Sequence, residues 1–135
     1  MKKSAALKSI SSRTLVNAIL TPKLANGEHY AGLILKDGRP SHHLVLLPPV
    51  GKDLTWDKAV DFAKKQKGDL PTRQEQSLLF ANCKQHIEAG WYWSCEPYAD
   101  DSAYAWFQSF YYGGQSSAGP RAVKSRVRLV RRVPI

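Results

Sequence analysis

An α+β fold is predicted for this chain of 135 residues by three features of its sequence. Two consecutive segments between Thr55 and Ile87 repeat apolar residues at helical spacing. After Gly90 the pattern changes to alternation with period two, and before Trp56 two runs of strand-forming residues flank a turn. Helices bracketed by strands segregate into one sheet with docked helices, and the length fits a single domain. With 43% hydrophobic residues the chain can build a core without disulfide or metal support.

Taken in order, residues 1–27 have modest periodicity and many small polar residues (Ser4, Ser9, Ser11, Ser12, Thr14), so they read as an arm or a short helix. This arm is expected to touch another subunit or to be poorly ordered alone. Residues 28–135 form the domain proper. Tyr30–Leu35 and His42–Leu47 are strands of a hairpin whose turn is Lys36-Asp37-Gly38-Arg39-Pro40, and Pro48-Pro49 is expected to end it. Trp56, Ala59, Val60 and Ala63 define a first helix capped by Thr55, with Asp57 favouring the helix dipole. A second helix starts at Thr72, whose hydroxyl can cap the first turn while Glu75 reaches back to the cap. It is expected to run from about Arg73 to Ile87, with Leu79, Cys83 and Ile87 on one stripe.

Beyond Gly90, Trp91 and Trp93 face one side and Tyr92 the other; further on, Tyr104, Trp106, Gln108 and Phe110 oppose Ala105, Phe107 and Ser109. The rings of Trp93 and Trp106 are expected in the core. Gly113–Pro120 reads as a long turn or loop. The last strand sets Val123, Ser125, Val127 and Leu129 against Lys124, Arg126 and Arg128.

Charge is unevenly distributed. The net +9 resides at the two ends: residues 1–27 carry five basic residues and no acid, residues 102–135 carry six and no acid, and the middle is close to neutral. A basic end suits an acidic partner, either an acidic protein surface or nucleic acid. Two groups are candidates for anchoring: Lys2, Lys3, Lys8, Arg13 and Lys23 in the arm, and Arg126, Arg128, Arg131 and Arg132 in the last strand. The aromatic residues lie apart from the basic strand rather than interleaved with it, which favours protein anchoring over single-strand binding. No apolar run reaches the ~20 residues of a membrane span, and the first residues are interrupted by charge too soon for a signal peptide. Synthesis in the cytoplasm is therefore expected, with Cys83 and Cys95 reduced.

Nothing in the pattern places a nucleophile beside a base. Of the four histidines, His42 and His43 are adjacent on a strand and point to opposite faces; Gly113-Gly114 lacks the Lys-Ser/Thr of a phosphate cradle, and no CxxC spacing occurs. The composition between Glu96 and Ser117 instead resembles that of an antibody paratope, where Tyr gives broad, stiff contact and Ser and Gly adapt. The candidate contact residues are Glu96, Tyr98, Asp100, Asp101, Tyr104, Tyr111, Tyr112, Gln115 and Ser116. No cofactor and no metal is expected.

The phrases LPTRQEQ (70–76), WYWSCE (91–96), AYAWFQ (103–108) and VRLVRR (127–132), in this order of elements, resemble the C-type-lectin-like domains of phage and prophage proteins and of some bacterial surface lipoproteins. The resemblance covers roughly residues 28–133 and extends to the phage major tropism determinants and, more distantly, to formylglycine-generating enzymes. It implies a mixed or antiparallel sheet with two flanking helices, chain ends close together, and late loops gathered into a ligand platform. Calcium-dependent lectins of this group supply Glu-Pro-Asn or Gln-Pro-Asp and Trp-Asn-Asp; here stand Glu96-Pro97-Tyr98 and no Trp-Asn-Asp, so binding is expected to be calcium-independent. The enzymes use a reactive cysteine pair, whereas Cys83 lies on an apolar helix stripe. What the resemblance implies is a non-catalytic virion protein, made in the host cytoplasm, that binds a host receptor at the tail fibre or decorates the head. It would self-associate or insert into a larger assembly with other virion proteins. The alternative is a basic accessory protein that binds nucleic acid.

Overall fold

A computed structural model describes residues 10–135. Its centre is a six-stranded mixed sheet in the order β1-β2-β6-β3-β4-β5. The strands are β1 (His29–Lys36), β2 (Arg39–Leu54), β3 (Trp91–Pro97), β4 (Tyr104–Ser109), β5 (Gln115–Pro120) and β6 (Ser125–Pro134); the helices are α1 (Ser12–Ile19), α2 (Trp56–Lys65) and α3 (Arg73–Cys83). All pairings are antiparallel except β3 with β6, which meet in parallel through Tyr92 and Arg126. The α+β class is as the sequence implies, with one helix more than the two expected.

The hairpin turns through Asp37 and Gly38, both at positive φ, the two-residue geometry that matches strand twist. Pro48-Pro49 does not end β2. The register of β2 against β6 slips between Leu46 and Val50, and this bulge absorbs two residues that cannot donate to the ladder. Thr55 and Thr72 cap α2 and α3 as their spacing predicts, and Thr72 with Glu75 completes a reciprocal capping box. Helix α3 stops at Cys83, short of the expected Ile87. Lys84–His86 tighten into a 3₁₀ turn, where the His86 ring stacks on His29 at 3.5 Å, and Ile87 is already extended.

Adjacent residues of the central strands feed different apolar clusters. Leu46, Tyr92 and Val130 join Leu79, Cys83 and Ile87 on the α3 side, whereas Leu47, Trp93 and Leu129 join Ala59, Ala63 and Leu70 on the α2 side. Since side chains alternate across a strand, α2 and α3 cover opposite faces of the sheet. Each fully buried Leu or Val contributes about 1.5–3 kcal/mol of apolar transfer.

The segment from Gly113 to Pro120 is not all loop, because Gln115–Pro120 pairs with β4 as an edge strand. Its Gly and Pro content hid this, yet both residues suit an edge: a Cβ at Gly119 would lie 2.8 Å from the Ala105 carbonyl and 2.9 Å from the Trp93 ring. Part of the arm is likewise built. Ser11 caps α1, the Asn17 carbonyl accepts from His43 Nε2 at 2.7 Å, and the Lys23 carbonyl accepts from Arg131. The described start of the chain thus lies beside the last strand, and the Ile135 amide bonds the Ser41 carbonyl. Lys2, Lys3 and Lys8 lie outside the described residues.

Candidate functional site

The candidate site is the turn between β4 and β5. Ser109 closes it: its hydroxyl accepts the amides of Tyr111 and Tyr112 at 3.1 and 3.4 Å, and its carbonyl accepts Gly113 N–H at 2.8 Å. Gly113 has φ +87, and a Cβ there would lie 2.8 Å from the Phe80 ring, so the position excludes a side chain on two grounds. The backbone is pinned while the side chains are not. Tyr111 and Tyr112 are 63% and 70% exposed. Beneath them a series of rings leads into the core: Tyr112 meets Trp91 edge-on at 6.1 Å, Trp91 meets Phe107 at 4.3 Å, and Phe107 stacks on buried Trp93 at 5.4 Å.

A second turn, Tyr98–Tyr104, lies at the other end of β4. The Ala103 amide donates to Asp101 Oδ1, and the Tyr104 amide to the Asp101 carbonyl, so Asp101 shapes the turn. Tyr98 is half-buried and edge-on to Trp106 at 5.9 Å; the Arg73 guanidinium lies 3.4 Å above the same indole. Trp106 is accordingly half-buried rather than core, while Trp93 is fully buried. Asp100 is exposed and Tyr104 half-buried.

Besides Asp101, three of the expected contact residues are engaged by the protein itself. Glu96 Oε2 accepts the Arg73 amide at 2.7 Å, at the positive end of α3. Gln115 donates to the Arg73 carbonyl at 2.6 Å and to Gln108 Oε1 at 2.8 Å, which ties β5 to α3. Ser116 Oγ accepts the Ala118 amide. Of the nine candidates, Asp100, Asp101, Tyr111 and Tyr112 are exposed; Asp101 is turned onto its own loop, and the two tyrosines are adjacent in the chain.

The basic last strand is not an open cationic surface. Arg126 pairs with Glu88 at 2.8 Å and Arg131 with Glu28 at 2.9 Å. Arg132 grips buried Glu75 with two bonds of 2.7 Å and lies 3.3 Å from Asp69. Arg128 is buried, donating to the carbonyls of His86 and Leu47. Burial alone would raise the Glu75 carboxyl, but hydrogen bonds from Arg132, the Thr72 amide and His42, with the Arg132 charge, hold it below the ordinary carboxylate range. Glu28 is held low chiefly by its hydrogen bond from Arg131. Arg13 and Lys23 are exposed.

Sequence reasoning missed Arg73 as a support of the site, as well as the acids that neutralise β6; no local signal foretells Arg73 over Trp106 or Glu28 beside Arg131. Among the described residues no three His, Cys, Asp or Glu side chains converge as a metal site, and no helix is long and apolar enough to cross a membrane. Cys83 is buried, Cys95 is exposed, and both are free thiols. In comparison with known proteins, the chain matches no family model and no curated protein.

Proposed function

We propose that this protein is a phage virion binding module with a C-type-lectin-like fold, which recognises a host receptor or decorates the particle through Tyr111 and Tyr112. One observation carries the reading: two adjacent, largely exposed tyrosines rise from a turn whose backbone is fixed by Ser109, Gly113 and the rings of Trp91 and Phe107. Such a pair offers broad amphipathic contact with little ordering cost, because the backbone entropy is already spent in folding. The mixed sheet and the helices on both its faces support the fold assignment. In this reading recognition is calcium-independent, because the contact is made by tyrosine rings and hydroxyls rather than by carboxylates bridged through a cation. Nucleic-acid binding is the weaker reading, because three of the four β6 arginines are neutralised by acids and the fourth is buried.

The test is fractionation of intact particles followed by binding of labelled protein to host cells. The wild-type chain should sediment with particles at fixed stoichiometry, and Tyr111→Ala/Tyr112→Ala should lose attachment to its partner while remaining folded. Salt-sensitive DNA retention together with absence from particles would overturn the proposal.

A further inference from the structure

A second feature lies on the α3 side of the sheet, where a cavity of about 250 Å³ is lined by Val50, Lys52, His86, Glu88, Tyr92 and Arg128. Arg128 is 7% exposed, and among the described residues no carboxylate pairs with it. Two of its nitrogens donate to carbonyls, His86 at 2.6 Å and Leu47 at 3.0 Å, while Nε, shielded from solvent, has no hydrogen-bond partner. A buried guanidinium with an idle N–H is expensive unless something negative approaches it. Its surroundings are cationic overall. Lys52 and Arg126 contribute two further positive charges against the single Glu88 carboxylate, which Arg126 holds at 2.8 Å and Lys52 at 3.7 Å. His86, stacked on His29, is part of the lining, and the Tyr92 hydroxyl donates to the Glu88 carbonyl.

We infer that this cavity is a binding site for one oxyanion, a carboxylate or phosphate group, received by the Arg128 guanidinium that lines it, with Lys52 at the rim. Charge-assisted bonds to a guanidinium suit such planar or tetrahedral oxygens. Lys52, at 3.7 Å from Glu88 and more than half exposed, is free to turn toward the guest. The same guest would offset the burial that depresses the Arg128 pKa. The site borders the tyrosine turn through the chain itself: the Gly90 carbonyl accepts Phe110 N–H, and Trp91 touches Tyr112. A partner bearing an acidic group could engage both, although the anion site stands independently of the tyrosines.

The arginine Nε–H resonances of the ¹⁵N-labelled chain report on it during titration with sodium phosphate, then sodium acetate, at constant ionic strength set by chloride. The Arg128 Nε–H signal should shift saturably. A response to phosphate alone identifies a phosphate group as the guest, and a response to acetate identifies a carboxylate. Lys52→Gln, a surface change, should weaken the affinity several-fold. Tyr111→Ala/Tyr112→Ala should titrate like wild type, which separates this site from the recognition surface. No saturable shift at Arg128, or a Lys52→Gln affinity equal to wild type, would overturn the inference.

Discussion

Strand β6 and the 109–114 turn both look like contact surfaces in the sequence, one for its arginines and the other for its tyrosines, but folding treats them oppositely. The arginines turn back onto Glu28, Glu75, Glu88 and Asp69, whereas the rings of Tyr111 and Tyr112 stay in solvent. Guanidinium groups are long, forked and able to reach an acid brought near by the fold, and burial against carboxylates removes them from any partner. The tyrosines sit at the tip of a two-strand corner, where no second element among the described residues covers them. Surface chemistry is therefore set by what the fold brings within reach, not by local composition.

The difference breaks most visibly at Glu75. This carboxylate is 1% exposed and receives Arg132, His42 and the Thr72 amide. Glu75→Ala leaves Arg132 half-buried without its main counter-charge and opens the capping box, so urea unfolding should show a loss of about 3–5 kcal/mol. Its pH dependence follows from the same contacts. Because the folded carboxyl titrates below the ordinary value of 4.5, its contribution is fully present above that value and is lost as pH falls through the lowered one. The urea midpoint of the wild type should therefore drop on acidification below about pH 4.5, with Glu28 adding to the slope, and Glu75→Gln should flatten it.

The effect of Gly113→Ala should be smaller, and it tests whether the turn is pinned. The new Cβ must adopt φ +87 and meet the Phe80 ring, which costs about 1–3 kcal/mol. Partner binding should fall with it, since the tyrosines move with the backbone; unchanged binding would mean that the turn adapts rather than presents a fixed surface.

Legibility in the sequence followed the range of the interactions. The caps at Thr55 and Thr72, the hairpin turn and the alternation in β3 and β4 depend on residues a few positions apart, and each was readable. The Arg131–Glu28 pair spans 103 residues and Arg132–Glu75 spans 57, so no window over the sequence contains them. The strand identity of Gln115–Pro120 was hidden for a related reason: its residues are poor strand formers, and pairing with β4 decides its conformation. Tyr111 and Tyr112 were legible as exposed because turn chemistry at Gly113-Gly114 is local, while Glu96 and Gln115 were misread because α3, which they brace, arrives from twenty or more positions away.

Between these extremes lies Arg126, paired with Glu88 at the surface, where both side chains are substantially solvated. Arg126→Gln should cost no more than about 1 kcal/mol in urea unfolding, because water and salt screen an exposed pair. A larger loss would mean that the pair closes the Arg128 cavity as a unit, since Glu88 is shared by both.

The smallest expected change in stability belongs to the largest expected change in function. Tyr111→Ala/Tyr112→Ala removes rings that bury little: the edge contact of Tyr112 with Trp91 and its packing beside Gly114 are lost, and the Ser109 bonds to the two amides are retained. Each substitution should stay within about 0.5 kcal/mol in urea unfolding. Loss of partner attachment at unchanged stability would then be attributable to the rings themselves, because the turn that carries them is intact. If stability fell by as much as in Gly113→Ala, the rings would be holding the turn in place, and the contrast with β6 would fail: both segments would then be spending their side chains on the protein's own fold.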